Sequence, residues 1–70
     1  MEKFIELMAE IMEVDAEGLS PETDFREACD FDSLKGFSMI CMIEEEYAKT
    51  VTVDQFLEAR TIGALFEHTK

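Results

Sequence analysis

The amino-acid sequence predicts an all-α fold, a small four-helix bundle built from three main helices and one short helix. Apolar residues recur at helical spacing in two long segments, and 47% of the 70 residues are hydrophobic. The one strand-like segment, Val51–Val53, has no second strand with which to pair. A chain of this length forms one domain with a small core, so residues 1–70 are expected to fold as a single unit.

The first helix is predicted over residues 2–13 from an amphipathic pattern. Its apolar face carries Phe4, Leu7, Met8, Ile11 and Met12, and its outer face carries Glu6, Glu10 and Glu13. The periodicity breaks at Gly18 and through the run Ser20–Asp24, which predicts a loop. Phe25 is expected to anchor this loop in the core, and an ordered loop of this length in so small a domain is often functional.

A second helix is predicted over residues 33–47, with Asp32 or Ser33 as its N-cap. The predicted apolar stripe consists of Leu34, Phe37, Ile40, Cys41, Ile43 and Tyr47. The acids Glu44, Glu45 and Glu46 crowd the C-terminal half of this helix, where the helix dipole disfavours negative charge. Gly36 lowers the helix propensity of the segment by about 1 kcal/mol relative to alanine.

The remaining elements are shorter. The segment Val51–Val53 is predicted to be an extended connection whose valines are buried, and Asp54 is predicted to cap a short helix that reaches about Ala59. Thr61 is predicted to cap the last helix, with Ile62, Leu65 and Phe66 facing inward.

The charge of the chain limits its partners. Seventeen acids and six bases give a formal net charge of -11, which disfavours nucleic acid and anionic membrane surfaces and favours basic protein surfaces. Cys29 and Cys41 are the only cysteines, and Lys3 is followed by an amphipathic pattern in place of a secretory apolar block. These features predict a cytoplasmic, monomeric protein with reduced thiols.

Ser33 stands at the predicted start of the second helix, within Asp30-Phe31-Asp32-Ser33-Leu34. Free backbone N–H groups and the positive end of the dipole favour an anion there, so the serine is suited to carrying an anionic group. Simple capping of the helix is the alternative interpretation. His68 is the only histidine, no serine-hydrolase pattern is present, and the spacing after Asp30 and Asp32 departs from a calcium loop. The sequence therefore predicts neither an enzyme nor a metal site.

Taken in order, these motifs resemble the acyl carrier protein family over essentially the whole chain. The order is an amphipathic helix, Val14-Asp15, a loop with Pro21 and Phe25, Asp32-Ser33-Leu34 at a helix start, Ile43-Glu44-Glu45-Glu46-Tyr47, Val51-Thr52-Val53 and Thr61-Ile62. The triplet alone is weak, but its position in this order on a small acidic chain is specific.

The resemblance implies that 4'-phosphopantetheine from coenzyme A is attached to Ser33 by a phosphopantetheinyl transferase. Asp32 and Leu34 match the acidic and hydrophobic neighbours of the family's serine. The arm would carry acyl groups as thioesters between enzymes of fatty-acid, polyketide or related biosynthesis, while the carrier itself catalyses nothing. Four methionines, Met8, Met12, Met39 and Met42, suggest an adaptable interior that could admit an acyl chain, with ordinary core packing as the alternative.

The chain departs from the fatty-acid carriers at several positions. Asp30 stands where those carriers have a glycine. The aromatic residue Phe31, directly before Asp32, is similar to the residue found there in stand-alone carriers of specialised pathways and in carrier domains of polyketide and nonribosomal assembly lines. Lys35 and Ser38 occupy predicted outward positions where acids are usual. The implied docking residues for acyl-loading and acyl-processing enzymes with basic patches are Asp32, Lys35, Glu44 and Glu45. A small acidic adaptor that binds a basic partner without a prosthetic group is the alternative function.

Overall fold

A computed structural model describes all residues from Met1 to Lys70. Four α-helices follow one another as α1 (Glu2–Met12), α2 (Ser33–Tyr47), α3 (Val53–Glu58) and α4 (Ile62–Phe66), and 3₁₀ turns cover Ala16–Gly18 and Glu67–Thr69. The only β-type pairing is an isolated antiparallel bridge between Asp24 and Thr61. The all-α prediction is confirmed, and no helix is both long enough and apolar enough to cross a membrane.

The core lies where α1, α2 and α4 meet, and it is closed by one side chain from the long loop and one from α3. Its fully buried large side chains are Phe4, Met8, Met12, Phe25, Met39, Ile43, Ile62 and Leu65. Phe25 has no exposed surface, which confirms the prediction that it anchors the loop. The four methionines named from the sequence are buried, and Met42 is the most exposed of them at 8%.

The long loop between α1 and α2 is held against the start of α4 by the backbone. α1 ends at Met12, and the next residue, Glu13, caps it with a φ of 61° in the left-handed region. Further along the loop, the Ile62 N–H donates to the Thr23 carbonyl at 3.0 Å and the Gly63 N–H donates to the Pro21 carbonyl at 2.8 Å. These bonds satisfy backbone groups that would otherwise be unpaired, so the loop is fixed although it contains little regular structure.

The bounds of α2 agree with the prediction, but its predicted buried face is wrong in the first half. Leu34 and Phe37 are 76% and 67% exposed, whereas Gly36, Met39 and Ile43 face the interior. The inward positions follow an i, i+3, i+7 spacing that begins at the glycine. Because Gly36 has no side chain, two aromatic rings can pack directly against the helix backbone at this point, and the rotation of α2 follows from that contact.

The segment before α3 also differs from the prediction. Val51 is buried as predicted, but Val53 is 65% exposed and is the first residue of α3. The cap is Thr52 in place of Asp54, because the Thr52 hydroxyl accepts from the Gln55 N–H at 3.1 Å while the Gln55 side chain accepts from the Thr52 N–H at 3.0 Å. This reciprocal capping box pairs two backbone donors at once.

The predicted cap of the last helix is confirmed. The Thr61 hydroxyl accepts a hydrogen bond from the Ala64 N–H at 3.1 Å. Ile62 and Leu65 are fully buried, and Phe66 is partly buried against the core, as the sequence predicts.

Candidate functional site at the start of the second helix

Asp32 caps α2. Its backbone is extended, its carboxylate accepts from the Lys35 N–H at 2.8 Å, and its carbonyl accepts from the Gly36 N–H at 3.1 Å. The sequence left Asp32 and Ser33 as alternative caps, and the structure assigns the cap to Asp32. The Ser33 hydroxyl is therefore not occupied by capping the helix that it begins.

Ser33 is exposed at the first residue of this 15-residue helix, and its hydroxyl makes no hydrogen bond within the protein. The backbone N–H groups of Ser33 and Leu34 also have no acceptor in the protein. Two free donors beside an exposed hydroxyl, at the positive end of a helix dipole, suit a negatively charged group attached to that oxygen.

A groove between α2 and α3 opens beside Ser33. Its volume is about 400 Å³, and the only polar side chains that line it belong to Asp32 and Ser33 at one edge. The apolar lining comes from Phe31, Phe37, Ile40, Val53, Phe56 and Leu57. The exposed hydroxyl thus borders a space that suits apolar groups.

The floor of this groove depends on Gly36. A Cβ atom at this position would lie 3.1 Å from the Phe31 ring and 3.2 Å from the Phe56 ring. The two rings are stacked at an interplanar angle of 21°, with 6.2 Å between their centroids. From the sequence, Gly36 is expected only to weaken the helix, and this packing role is not predicted, although a glycine one turn after the serine is itself a signal of close approach.

Four large apolar side chains stand exposed around the site. Leu34, Phe37, Val53 and Leu57, hereafter the apolar patch, have exposed fractions between 62% and 76%. Leu34 follows Ser33 directly, and the other three line the groove. Exposed apolar residues that cluster at one place mark a binding surface more often than isolated ones do.

Arg26 lies behind the groove and was not identified from the sequence. Its guanidinium group donates to the carbonyls of Ala59 and Phe56, both at 2.6 Å. It also lies over the rings of Phe25, Phe56 and Phe31, at 4.8, 5.0 and 5.7 Å from their centroids. A single basic residue in an acidic loop carries no sequence signal for the two hydrogen bonds, because the carbonyls that accept them lie 30 and 33 residues away.

Lys35 does not point outward as predicted. Its side chain is 17% exposed, and its ammonium nitrogen lies 3.3 Å from a carboxylate oxygen of Glu13 at the end of α1. The hydrogen bond to Glu13 raises the pKa of Lys35 above its ordinary value. By contrast, Ser38, Glu44 and Glu45 are exposed, as the sequence predicts. From the sequence, Lys35 is predicted to dock partner enzymes together with Glu44 and Glu45. In the structure its side chain is mostly buried and paired, whereas those two acids are exposed.

The other reactive side chains do not converge on the site. Both cysteines are free, and the Cys29 thiol donates to the Phe25 carbonyl at 3.3 Å. Burial raises the pKa of the Cys29 thiol, which disfavours the reactive thiolate. No group of three or more histidine, cysteine, aspartate or glutamate side chains is arranged to hold a metal ion. His68 lies on the last 3₁₀ turn, partly buried.

Comparison with known proteins gives one match that spans nearly the whole chain. The family model described as the phosphopantetheine attachment site matches residues 2–69, which include all four helices and the groove beside Ser33. No curated protein sequence matches the chain.

Proposed function

Because the chain belongs to the phosphopantetheine attachment family, we propose that Ser33 is the residue to which the prosthetic group is joined. The protein is a non-catalytic carrier whose prosthetic group is 4'-phosphopantetheine, and the similarity to acyl carrier proteins is confirmed. The proposal for Ser33 is supported chiefly by one observation. Its hydroxyl is exposed, unbonded and next to two free backbone N–H groups.

The surroundings of Ser33 fit the group in two respects. The free N–H groups of Ser33 and Leu34 suit the phosphodiester, which stays negatively charged after attachment. The missing side chain of Gly36 lets the rings of Phe31 and Phe56 form an apolar floor next to it. We propose that Asp32 and Leu34 contribute as neighbours, Asp32 by fixing the helix start and Leu34 by offering an apolar contact to the modifying enzyme.

The attachment converts the phosphoanhydride of coenzyme A into a phosphate ester at Ser33 and releases the nucleotide half of the coenzyme as adenosine 3',5'-bisphosphate. The Ser33 oxygen forms a bond to the phosphorus that carries pantetheine, and the bond from that phosphorus to the nucleotide half of coenzyme A breaks. The hydroxyl proton passes to a base of the phosphopantetheinyl transferase. We expect the base to come from the transferase, because the side chain at the start of α2 that accepts a hydrogen bond is Asp32, and it accepts from the Lys35 N–H and not from Ser33.

An acyl group is the proposed cargo, held as a thioester on the terminal sulfur of the arm. The apolar groove of about 400 Å³ beside Ser33 favours an aliphatic or aromatic acyl group over a polar one. This supports a role in fatty-acid, polyketide or related biosynthesis. A flexible arm also raises the local concentration of the thioester at a docked enzyme, which is the physical advantage of a carrier.

The proposed test of attachment is intact-mass analysis after incubation with coenzyme A and a broad-specificity transferase. Wild-type protein should gain one phosphopantetheine group, and Ser33→Ala should gain none. Ser38→Ala is the matched control, because Ser38 is also an exposed serine of α2 and its loss should leave the labelling unchanged. Labelling of Ser33→Ala would overturn the proposal, and a wild-type protein that stays unlabelled would favour the adaptor.

For docking, we propose that Asp32, Glu44 and Glu45 meet basic patches of acyl-loading and acyl-processing enzymes. Glu44 and Glu45 are exposed roughly 17 Å along the helix from Ser33, which is within the footprint of a docked protein. Lys35 lies at the edge of this surface and contributes less, because its ammonium group is already paired with Glu13.

A charge reversal tests this docking surface. Glu44→Lys combined with Glu45→Lys should slow loading by a fatty-acid-type malonyl transferase severalfold at low salt, and added salt should narrow the difference. Glu2→Lys combined with Glu6→Lys changes the net charge equally on the exposed side of α1 and serves as the control. Equal slowing by both pairs would mean that net charge, and not this surface, governs association.

A further inference from the structure

The third helix is weakly anchored by its own side chains. α3 has only six residues, and Phe56 is the only buried residue among them. Val53 and Leu57 stand on its outer face, 65% and 62% exposed. A helix of this length has little stability of its own, so its position depends on contacts that other elements supply.

Arg26 supplies such a contact from the long loop. Its two terminal nitrogens donate to the carbonyls of Phe56 and Ala59, both at 2.6 Å, at the C-terminal end of α3. The C-terminal end of a helix has carbonyls without partners inside the helix, and it is the negative pole of the helix dipole. The last turn of α3 contains no basic residue of its own that could interact with them. The planar guanidinium group matches two carbonyls at once, as an ammonium group cannot.

The same guanidinium group lies against the floor of the groove beside Ser33. It is 5.0 Å from the centroid of Phe56 and 5.7 Å from that of Phe31. Arg26 forms no ion pair, although the chain contains seventeen acids. Its positive charge therefore interacts with backbone carbonyls and with the faces of aromatic rings. Through these contacts the Arg26 side chain connects the long loop, the groove floor and α3.

We infer that Arg26 is a positioning residue for the modification of Ser33. It holds α3 so that Val53 and Leu57 stand beside the serine on the surface that the transferase must contact. The inference rests on the proposed function of Ser33, but the side chain of Arg26 hydrogen-bonds to the carbonyls of Phe56 and Ala59 and not to the serine. Loss of Arg26 should weaken the encounter with the enzyme while leaving the chemistry of the hydroxyl intact.

The test measures transfer of phosphopantetheine from coenzyme A with the carrier as the varied substrate. Arg26→Met keeps a long stem over the rings but removes both carbonyl bonds, so KM should rise roughly tenfold while kcat stays within about twofold. Arg26→Lys keeps the charge and can donate to one carbonyl, so its KM should fall between wild type and Arg26→Met.

Two control variants separate positioning from charge and from general stability. Arg60→Met removes the same charge from an exposed neighbour of Ala59, and its KM should equal that of wild type. Thr61→Ala removes the cap of α4 and lowers stability without touching α3. An unchanged KM in Arg26→Met, or an equal rise in Thr61→Ala when both are fully folded, would overturn the inference.

Amide hydrogen exchange provides a measurement that does not require modification. In Arg26→Lys the Ala59 amide, which donates to the Gln55 carbonyl at the end of α3, should exchange faster than in wild type while amides in α1 keep their rates. Equal acceleration everywhere, or none at Ala59, would contradict the positioning role. If wild-type protein accepts no phosphopantetheine, the proposed function fails and the exchange data still decide whether Arg26 holds α3.

Discussion

The two grooves on either side of α2 are nearly equal in volume, about 370 Å³ between α1 and α2 and about 400 Å³ between α2 and α3. Size therefore does not distinguish them, but their linings do. Glu10, Ser38 and Glu45 bring polar groups to the first groove, whereas the second has polar side chains only at Asp32 and Ser33. Only the second groove borders the proposed attachment residue.

The difference shows where the chain leaves apolar surface uncovered. Along α2, the buried residues Met42 and Ile43 lie next to exposed acids, as in an ordinary surface helix. At the start of α2, the apolar patch remains in solvent, which costs solubility unless a ligand or partner covers it. Three expectations follow from this comparison, in order of decreasing effect.

The largest effect is expected from removing the floor of the second groove. Phe56 is 5% exposed and packs against Phe25 and Phe31, so Phe56→Ala should lower the free energy of unfolding by about 3–5 kcal/mol. Leu57 is the next residue but is 62% exposed, so Leu57→Ala should change the free energy of unfolding by no more than about 0.5 kcal/mol. Urea denaturation measures both, and similar losses in the two variants would contradict the assignment of an inner and an outer face to α3.

A smaller effect is expected from filling the space above that floor. Gly36→Val would press against Phe31 and Phe56 and should cost about 1–3 kcal/mol of stability, despite the better helix propensity of valine. Gly18→Ala is the control, because nothing lies within 4 Å of a Cβ atom there. If thermal unfolding shows that Gly36→Val is as stable as wild type, the groove floor is more adaptable than the packing indicates.

The smallest effect concerns the two cysteines. The pKa of Cys29 is raised by burial above its ordinary value of 9.0, so the folded state favours the neutral thiol. Its contribution to stability is complete below pH 9 and is lost as the pH rises through the raised pKa of the folded state. Cys29→Ala should therefore lose less stability than wild type between about pH 8 and about pH 10.

Cys41, which lines the first groove, provides the matched variant for this measurement. Urea unfolding at the two pH values should show a smaller alkaline loss for Cys29→Ala than for Cys41→Ala, which also removes one thiol. A loss in Cys29→Ala as large as that in wild type would mean that the thiol does not contribute to the alkaline sensitivity.

Features that depend on neighbours along the chain could be predicted from the residues alone. Helical spacing and local capping chemistry predicted the bounds of α2, the cap at Thr61 and the buried anchor Phe25, and all three are confirmed. The order of motifs along nearly the whole chain likewise identified the carrier family, although the triplet Asp32-Ser33-Leu34 alone is a weak signal.

Tertiary structure alone decided which way the helices turn and what reaches the site from a distance. Periodicity placed Leu34 and Phe37 inside, but the close approach of two aromatic rings at Gly36 rotates α2 and leaves both exposed. The ion pair of Lys35 with Glu13 and the bonds of Arg26 to α3 join residues that are far apart in sequence. Such contacts depend on how the elements pack together, and no local pattern of residue types encodes that packing.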